Sequence, residues 1–328
     1  MRIVLTSEMT GLPDEGIKNW TRHFGEALAE AGHDVEWLPL EGHFRVAALD
    51  PRVALRIRRA RPDVVQYVPY SHLTRNALVR LRALSALAPR AVAAVAVLQA
   101  PVPQAAYPRA LRADAALFVS SALRDGHGGC ARMTAVVPPS VRAQFRGGGE
   151  SRAEAKRALG RDPERRLVLH VGHLLETRNL RALAPLARRG DLDVVVVAST
   201  TFAPDPGLAD DLRAAGVEVV HRYVPDLERW YRAADVYVFP VAEALGSIAI
   251  PLTVLEALSS GARVVTTRFG AVEEFVPESD RVAYAEPQAL ASAVDAALAR
   301  PEPTGSPPAF EPGALAAAAV EAYERARR

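Results

Sequence analysis

The most informative stretch of the chain reads PLTVLEALSSGARVV, residues 251–265, and it follows the apolar run YVFP at residues 237–240. Its leucines recur every three residues, a spacing that places them on one face of a helix. Gly261 stands where a glycine commonly ends a helix, and an apolar run follows it directly. The order of strand, loop, helix and strand predicts parallel strands joined by a crossover helix.

Short apolar runs separated by amphipathic segments recur throughout the chain. They lie at 2–5, 35–38, 64–68, 91–98, 115–119, 135–137, 167–171, 194–198, 217–221, 236–239, 262–267 and 282–285. Such continuous runs are typical of strands buried on both faces, as in a parallel sheet. We therefore predict an α/β protein with two doubly wound parallel sheets, each binding ligands at the carboxyl ends of its strands.

A break of three glycines at 147–149 separates the two series of apolar runs. It predicts a first domain over residues 1–146 and a second over 150–300. The Pro-rich segment 300–313 is typical of a second linker. We expect the Ala-rich helix 314–328 to pack back on the first domain.

Composition limits the classes of function. The 328 residues are 49% hydrophobic, enough for two domains with sizeable cores. A charge balance of 40 basic against 38 acidic residues gives +2, which argues against a nucleic-acid partner. The single cysteine, Cys130, excludes an intramolecular disulfide framework and a cysteine-based zinc site. Because neither an 18-residue apolar run nor a signal-peptide pattern occurs, we expect a cytoplasmic protein with no transmembrane segment.

Five motifs resemble, in their order, the carboxyl half of glycosyltransferase family 4. They are HVG at 170–172, DVYVFP at 235–240, LEA at 255–257, GARVV at 261–265 and GAVEE at 270–274. In the first half, AGHDV at 31–35 and AALFVSS at 115–121 are also similar to the family. The resemblance implies the GT-B architecture, in which two Rossmann-like domains face each other across a cleft. It also implies transfer of a sugar from a nucleotide-sugar donor with retention of anomeric configuration.

The resemblance places Glu256 as the second Glu of the family's E-x7-E element, which holds the donor ribose. The first Glu would fall at Ile248, so Glu243 takes that role only if five extra residues loop out. Gly246 and Ser247 are expected to offer backbone N–H groups to the donor. The alternative interpretation of Glu256 is a surface-facing helical residue.

For the donor diphosphate, the resemblance implies a cationic loop after the strand that ends at Gly172. His173 stands where the family has Arg, and Arg178 stands where it has Lys. Arg178 keeps the positive charge and can bind phosphate through two nitrogens. We also assign Gly172 and Leu252 to the donor site. The alternatives are a solvated Arg178 and a His173 without a role.

The acceptor side is expected on the first domain. Gln99 stands where the family usually has a catalytic-site His, and His72 is a second candidate for acceptor contact. Gly16 keeps one glycine of a family Gly-Gly pair that approaches the donor phosphate or the acceptor. Asp14 and Glu15 either hold acceptor hydroxyls or cap the helix that follows.

The leading hypothesis is a retaining glycosyltransferase that uses a UDP-sugar, with a GDP-sugar as the alternative donor, and an acceptor of small-molecule type. Asp191 and Asp193 form a D-x-D pattern, but it precedes a strand and faces the wrong end of the sheet. We therefore predict metal-independent chemistry with no permanently bound cofactor, based on leaving-group stabilisation without a protein nucleophile. The other hypotheses are a GT-B binding or scaffold protein without catalysis and a GT-B sugar-nucleotide epimerase. The sequence does not determine the oligomeric state.

Overall fold

The computed structural model describes residues 1–8, 11–40, 50–70, 72–102, 106–243, 247–303 and 305–328. The chain forms two compact units. The first comprises Met1–Pro13, Ile17–Ser140 and Glu311–Arg328, and the second comprises Asp14–Gly16 and Val141–Phe310. Each unit contains one six-stranded parallel sheet with helices, which confirms the predicted α/β class.

The first unit has the strand order β2-β1-β3-β4-β5-β6. Its elements are β1 (Arg2–Ser7), α1 (Gly16–Glu30), β2 (Asp34–Pro39), α2 (Pro51–Ala60), β3 (Val64–Val68), α3 (Arg75–Ser85), β4 (Val92–Val97), β5 (Ala113–Phe118), α4 (Ser121–Gly126) and β6 (Ala131–Val136). The central strands are apolar and buried along their length, as a sheet covered on both faces requires.

The second unit has the strand order β12-β11-β10-β7-β8-β9. Its elements are α5 (Arg152–Ala158), β7 (Arg166–Gly172), α6 (Ala184–Ala187), β8 (Leu192–Ala198), α7 (Leu208–Ala214), β9 (Glu218–His221), α8 (Leu227–Ala233), β10 (Val236–Phe239), α9 (Leu252–Ser259), β11 (Arg263–Thr266), α10 (Val272–Phe275), β12 (Val282–Tyr284) and α11 (Leu290–Ala299). The chain runs outward from β7 to one side and from β10 to the other. The loops after β7 and β10 therefore diverge, and a crevice opens at the carboxyl ends of these two strands.

The last helix, α12 (Pro312–Arg327), packs against β4, β5 and β6 of the first unit. Its Tyr323 is fully buried and donates a hydrogen bond of 2.7 Å to Oε1 of Gln66 in β3. The buried side chain of Gln66, in the middle of β3, thus has a hydrogen-bond partner, as buried polar groups require.

The boundary between the units lies at 140/141, and not at the glycine break at 147–149. The reason is Phe145, which is 1% exposed and packs edge-on against Tyr231 of the second unit, with ring centroids 5.7 Å apart. The segment 300–310 also packs on the second unit, where Ser259 donates to the carbonyl of Pro308 at 2.7 Å. The glycine break and residues 300–310 of the second predicted linker are therefore part of the second unit, whereas residues 311–313 belong to the first.

Asp235, at the start of β10, is the most enclosed carboxylate of the second unit's sheet. It accepts hydrogen bonds from Lys156 Nζ at 2.7 Å and from the Leu167 amide of β7 at 2.8 Å. Burial by itself would raise the pKa of this carboxyl, but the bonds from Lys156 and the Leu167 amide hold it below the ordinary value. The bond from the Leu167 amide therefore fastens the start of β10 to β7 at the end of the sheet opposite the crevice, and the ion pair with Lys156 fastens it to α5.

We expect Lys156→Met to lower the free energy of unfolding by about 2–3 kcal/mol, because it removes the buried ammonium partner of Asp235 and leaves that carboxylate the half-exposed Arg166, 3.1 Å away, as its nearest cation. Chemical denaturation followed by circular dichroism measures the loss. Arg213→Met is the matched control, since Arg213 pairs with Asp210 on the surface of the same unit. There we expect a change within about 0.5 kcal/mol. Equal effects of the two variants would contradict a stabilising role for the buried pair.

Candidate functional site

The carboxyl end of β7 brings Gly172 and His173 to the crevice. His173 is 7% exposed, and its ring packs edge-on against Phe202 with centroids 4.9 Å apart. A Cβ at Gly172 would lie 2.7 Å from Nε2 of His170, closer than such atoms approach in proteins. Glycine is therefore the residue that lets the strand end beside the His170 ring.

Arg178 is placed by a short 3-10 turn over Glu176–Arg178, which ends at Asn179. Asn179 has φ +53°, a left-handed conformation that Asn tolerates, and its Nδ2 donates to the carbonyl of Pro240 at 3.1 Å. This bond ties the loop after β7 to the segment after β10. The tie holds Arg178 at the crevice between the two strands.

The guanidinium of Arg178 is half-buried, and its Nε is buried without a hydrogen-bond partner among the described residues. Among the described residues, no carboxylate forms an ion pair with the Arg178 guanidinium. Burial lowers the pKa of Arg178 to about 10, while Tyr237 and Glu15 act in the opposite direction. The group therefore stays charged at neutral pH and is suited to binding an anion.

Glu256 lies in α9 and is 5% exposed, so its interpretation as a surface-facing residue is wrong. The Tyr231 hydroxyl donates to its Oε2 at 3.1 Å. Burial raises the pKa of Glu256 to about 7, against the opposing charge of Arg142. The charges of Glu256 and Arg178 both act on the pKa of Tyr237, so the structure brings these two predicted site residues to the same region of the second unit.

The segment between β10 and α9 carries four other predicted site residues. Leu252, the first residue of α9, is buried, Ser247 is half-buried and Gly246 lies outside the described residues. Glu243 is exposed. Ile248 is 5% exposed and apolar, so the carboxylate expected at this position of the family pattern has no equivalent there.

Asp14, Glu15 and Gly16 group with the second unit. The carboxylate of Asp14 accepts hydrogen bonds from the amide and hydroxyl of Thr200 and from the hydroxyl of Thr201, which follow β8. Asp14 thus binds protein hydroxyls, and the two threonines are residues that the sequence analysis missed. The charge of Glu15 acts on Arg178.

On the first unit, His72 and Gln99 lie together at the carboxyl ends of β3 and β4. The Nδ1–H of His72 donates to the carbonyl of Ala100 at 2.7 Å, one residue beyond Gln99. Oε1 of Gln99 is buried and has no hydrogen-bond partner among the described residues. The two residues predicted to contact the acceptor substrate are therefore neighbours. The Oε1 atom of Gln99 remains without a hydrogen-bond donor among the described residues.

A polar cluster in the first unit also escaped the sequence analysis. Glu8 follows β1, and its Oε1 accepts a hydrogen bond of 2.9 Å from the hydroxyl of Tyr67 in β3 and an ion-pair bond from Arg80. These strands are the neighbours between which the first sheet changes direction. The sequence signal that could have revealed this cluster is Glu8, an acidic residue directly after the first strand.

Within the described ranges, no group of three or more His, Cys, Asp or Glu residues is placed to hold a metal ion. The D-x-D carboxylates are engaged in ion pairs, Asp191 with Arg189 and Asp193 with Arg165. Of the helices that the structure describes, none combines the length and apolar character that crossing a bilayer requires.

The fold is similar to that of the Anabaena protein HepE, solved in complex with UDP. The TM-score is 0.67 at 15% identity, and the match covers 98% of this chain and 96% of that one. With UDP-glucose bound, HepE gives a TM-score of 0.66 at 17% identity, covering 98% and 95%. The two doubly wound units therefore define a protein with the GT-B fold.

Residues 165–300 match the model of the family Glycosyl transferases group 1. Over 123 residues the chain is 32% identical to sulfoquinovosyl transferase SQD2 of Arabidopsis thaliana, covering 36% of this chain and 22% of SQD2. Over 143 residues it is 33% identical to the lipopolysaccharide core biosynthesis mannosyltransferase LpsB of Rhizobium meliloti, covering 38% of each. The chain thus spans less than half the length of these curated relatives. Over residues 165–300 the chain is therefore similar to the group 1 glycosyltransferases, the family that its motifs resemble.

The raised pKa of Glu256 predicts a pH-dependent stability. Between about pH 4.5 and pH 7 the folded chain keeps a proton that the unfolded chain releases, so stability falls as pH rises through this window. Glu256→Gln removes the titration. We expect the variant to gain about 2–3 kcal/mol over the unmodified chain between pH 5 and pH 8 in urea unfolding. A pH-independent difference between the two would contradict the buried, protonated carboxyl.

Proposed function

We propose that this chain is a retaining glycosyltransferase that transfers a sugar from a UDP-sugar to a hydroxyl of an acceptor. The match of residues 165–300 to the group 1 glycosyltransferase model and the UDP complexes of the structural neighbour HepE support a nucleotide-sugar donor. The observation that carries the proposal is Arg178, a half-buried cation without a described carboxylate partner at the crevice between β7 and β10. In doubly wound sheets this is the place where nucleotides bind.

Arg178 is proposed to neutralise the diphosphate, which gains negative charge as the glycosidic bond breaks. A cation fixed in advance at the position of developing charge lowers the barrier, because it needs no reorganisation at the moment of reaction. Its half-buried setting strengthens this attraction relative to water. His173, at the end of β7, is proposed to border the same diphosphate.

Glu256 is proposed to accept hydrogen bonds from the ribose diol. The Tyr231 hydroxyl already donates to its Oε2, which fixes the orientation of the carboxyl group. Because the pKa of Glu256 lies near 7, its carboxylate population rises with pH across the neutral range. We therefore expect nucleoside binding at this residue to strengthen between pH 6 and pH 8.

The acceptor is proposed to bind at the carboxyl edge of the first sheet, beside His72 and Gln99. The Nδ1–H of His72 is held by a backbone carbonyl, which leaves Nε2 to accept a bond from an acceptor hydroxyl. Catalysis is proposed to consist of leaving-group stabilisation and positioning, without a metal ion and without a protein nucleophile. The cytoplasm is the proposed location.

We expect Arg178→Met to weaken UDP binding about 10- to 100-fold in isothermal titration calorimetry, as befits loss of a charge-assisted hydrogen bond. Arg181→Met is the matched control from the same loop. Arg181 is exposed and pairs with Glu176 and Asp211, so we expect its loss to change UDP affinity less than twofold. GDP in parallel titrations tests the alternative donor base.

Two results would contradict the proposed function. If UDP does not bind, or if it binds both variants with the affinity of the unmodified chain, the proposed donor site at Arg178 is wrong. Transfer to a panel of sugar and alcohol acceptors is measured by mass spectrometry. A chain that binds the UDP-sugar but transfers no sugar to any of them would instead be a binding protein. Product anomers identified by nuclear magnetic resonance test retention.

A further inference from the structure

The His170 ring, in β7, lies directly beneath the crevice. It is 1% exposed and stacks on Tyr237, with centroids 6.2 Å apart and ring planes 13° from parallel. Its Nδ1 lies 2.9 Å from the carbonyl oxygen of Val238. Since a carbonyl only accepts, Nδ1 carries the proton, and Nε2 of the neutral ring is a hydrogen-bond acceptor.

That Nε2 atom has no hydrogen-bond partner among the described residues, and it is buried. It points toward the end of β7, because a Cβ at Gly172 would lie 2.7 Å from it. Burial, together with the charge of Arg178, lowers the pKa of His170 to about 4, so the ring stays neutral near pH 7. A buried acceptor without a donor is destabilising, and buried polar atoms of this kind call for an explanation.

Arg178 provides the matching donor. Its Nε–H is also buried without a described partner, and its charge acts on both His170 and the Tyr237 ring stacked upon it. An Arg that binds phosphate through its two terminal nitrogens leaves Nε–H directed away from the anion. His170 bonds the carbonyl of Val238, and Asn179, the residue after Arg178, bonds that of Pro240. The buried donor and the buried acceptor are therefore carried by residues that are both tied to the end of β10.

We propose that His170 is a positioning residue whose Nε2 accepts the Nε–H of Arg178 when a diphosphate occupies the terminal nitrogens of the guanidinium. The proposal rests on the proposed donor site at Arg178. His170 aims the cation without contacting the substrate. Gly172 leaves the space beside the His170 Nε2 atom free of a side chain.

A double-mutant cycle tests the proposal, with UDP as the probe and calorimetry as the measurement. His170→Phe keeps the aromatic ring on Tyr237 and removes the acceptor. Arg178→Lys keeps the charge and removes the Nε–H. We expect His170→Phe to weaken UDP binding about tenfold, or about 1.4 kcal/mol, when Arg178 is present, and less than twofold when Lys stands there.

His127→Phe is the matched control from the first unit. His127 is also buried, its Nδ1 also bonds a backbone carbonyl at 2.8 Å, and its Nε2 also has no described partner. We expect this variant to bind UDP like the unmodified chain. A purely structural role of His170 would weaken binding equally in both backgrounds of the cycle, and this outcome overturns the proposal.

Nitrogen-15 spectra of the imidazole groups give a second measurement. We expect the Nε2 resonance of His170 to move upfield when UDP is added, as an acceptor nitrogen does on hydrogen bonding, while that of His127 stays in place. An unmoved His170 resonance with UDP bound overturns the proposal. UDP binding that depends on Arg178 but not on His170 overturns only this inference, whereas no UDP binding at all overturns the donor site itself.

Discussion

The pairing of β10 with β7 is the contact on which the second unit depends, and the Asp235 carboxylate secures it. Asp235 directly precedes β10 and accepts a hydrogen bond from the backbone amide of Leu167 in β7, while Lys156 neutralises its charge. Beyond the carboxyl ends of the same two strands, Asn179 bonds the carbonyl of Pro240. With both ends of this strand pair held, the divergence of the loops that creates the crevice follows from the strand order.

Burial acts differently on the ionisable groups around that crevice. It lowers the pKa of Arg178 to about 10, which leaves the cation intact, and lowers that of His170 to about 4, which leaves the ring neutral. It raises the pKa of Glu256 to about 7, so this carboxyl changes charge near neutral pH. The result is a region with one permanent positive charge and one carboxyl whose charge depends on pH. Such a combination suits a ligand that has both a diphosphate and a diol.

Much of the candidate site could be predicted because the ends of strands and the starts of helices can be recognised from short stretches of sequence. Arg178 and His173 follow the apolar run of β7, and Glu256 lies in the helix after β10, so their elements were foreseeable. The family pattern was less informative where the chain departs from it, since Ile248 replaces a carboxylate and Glu243 is exposed. Contact of these residues with a donor stays a prediction.

The amino-acid order alone determined the α/β class, the two sheets and the resemblance to the group 1 glycosyltransferases, because periodic burial and strand-end motifs are local properties of a sequence. Tertiary structure alone decided which distant groups meet: Phe145 against Tyr231, Asp14 against two threonines, and the buried nitrogens of His170 and Arg178. The glycine break looked like a boundary, yet the ring of Phe145 has a lower free energy packed into the second unit than exposed to water. Such choices depend on shape and desolvation in three dimensions, which the spacing of residues along a chain does not encode.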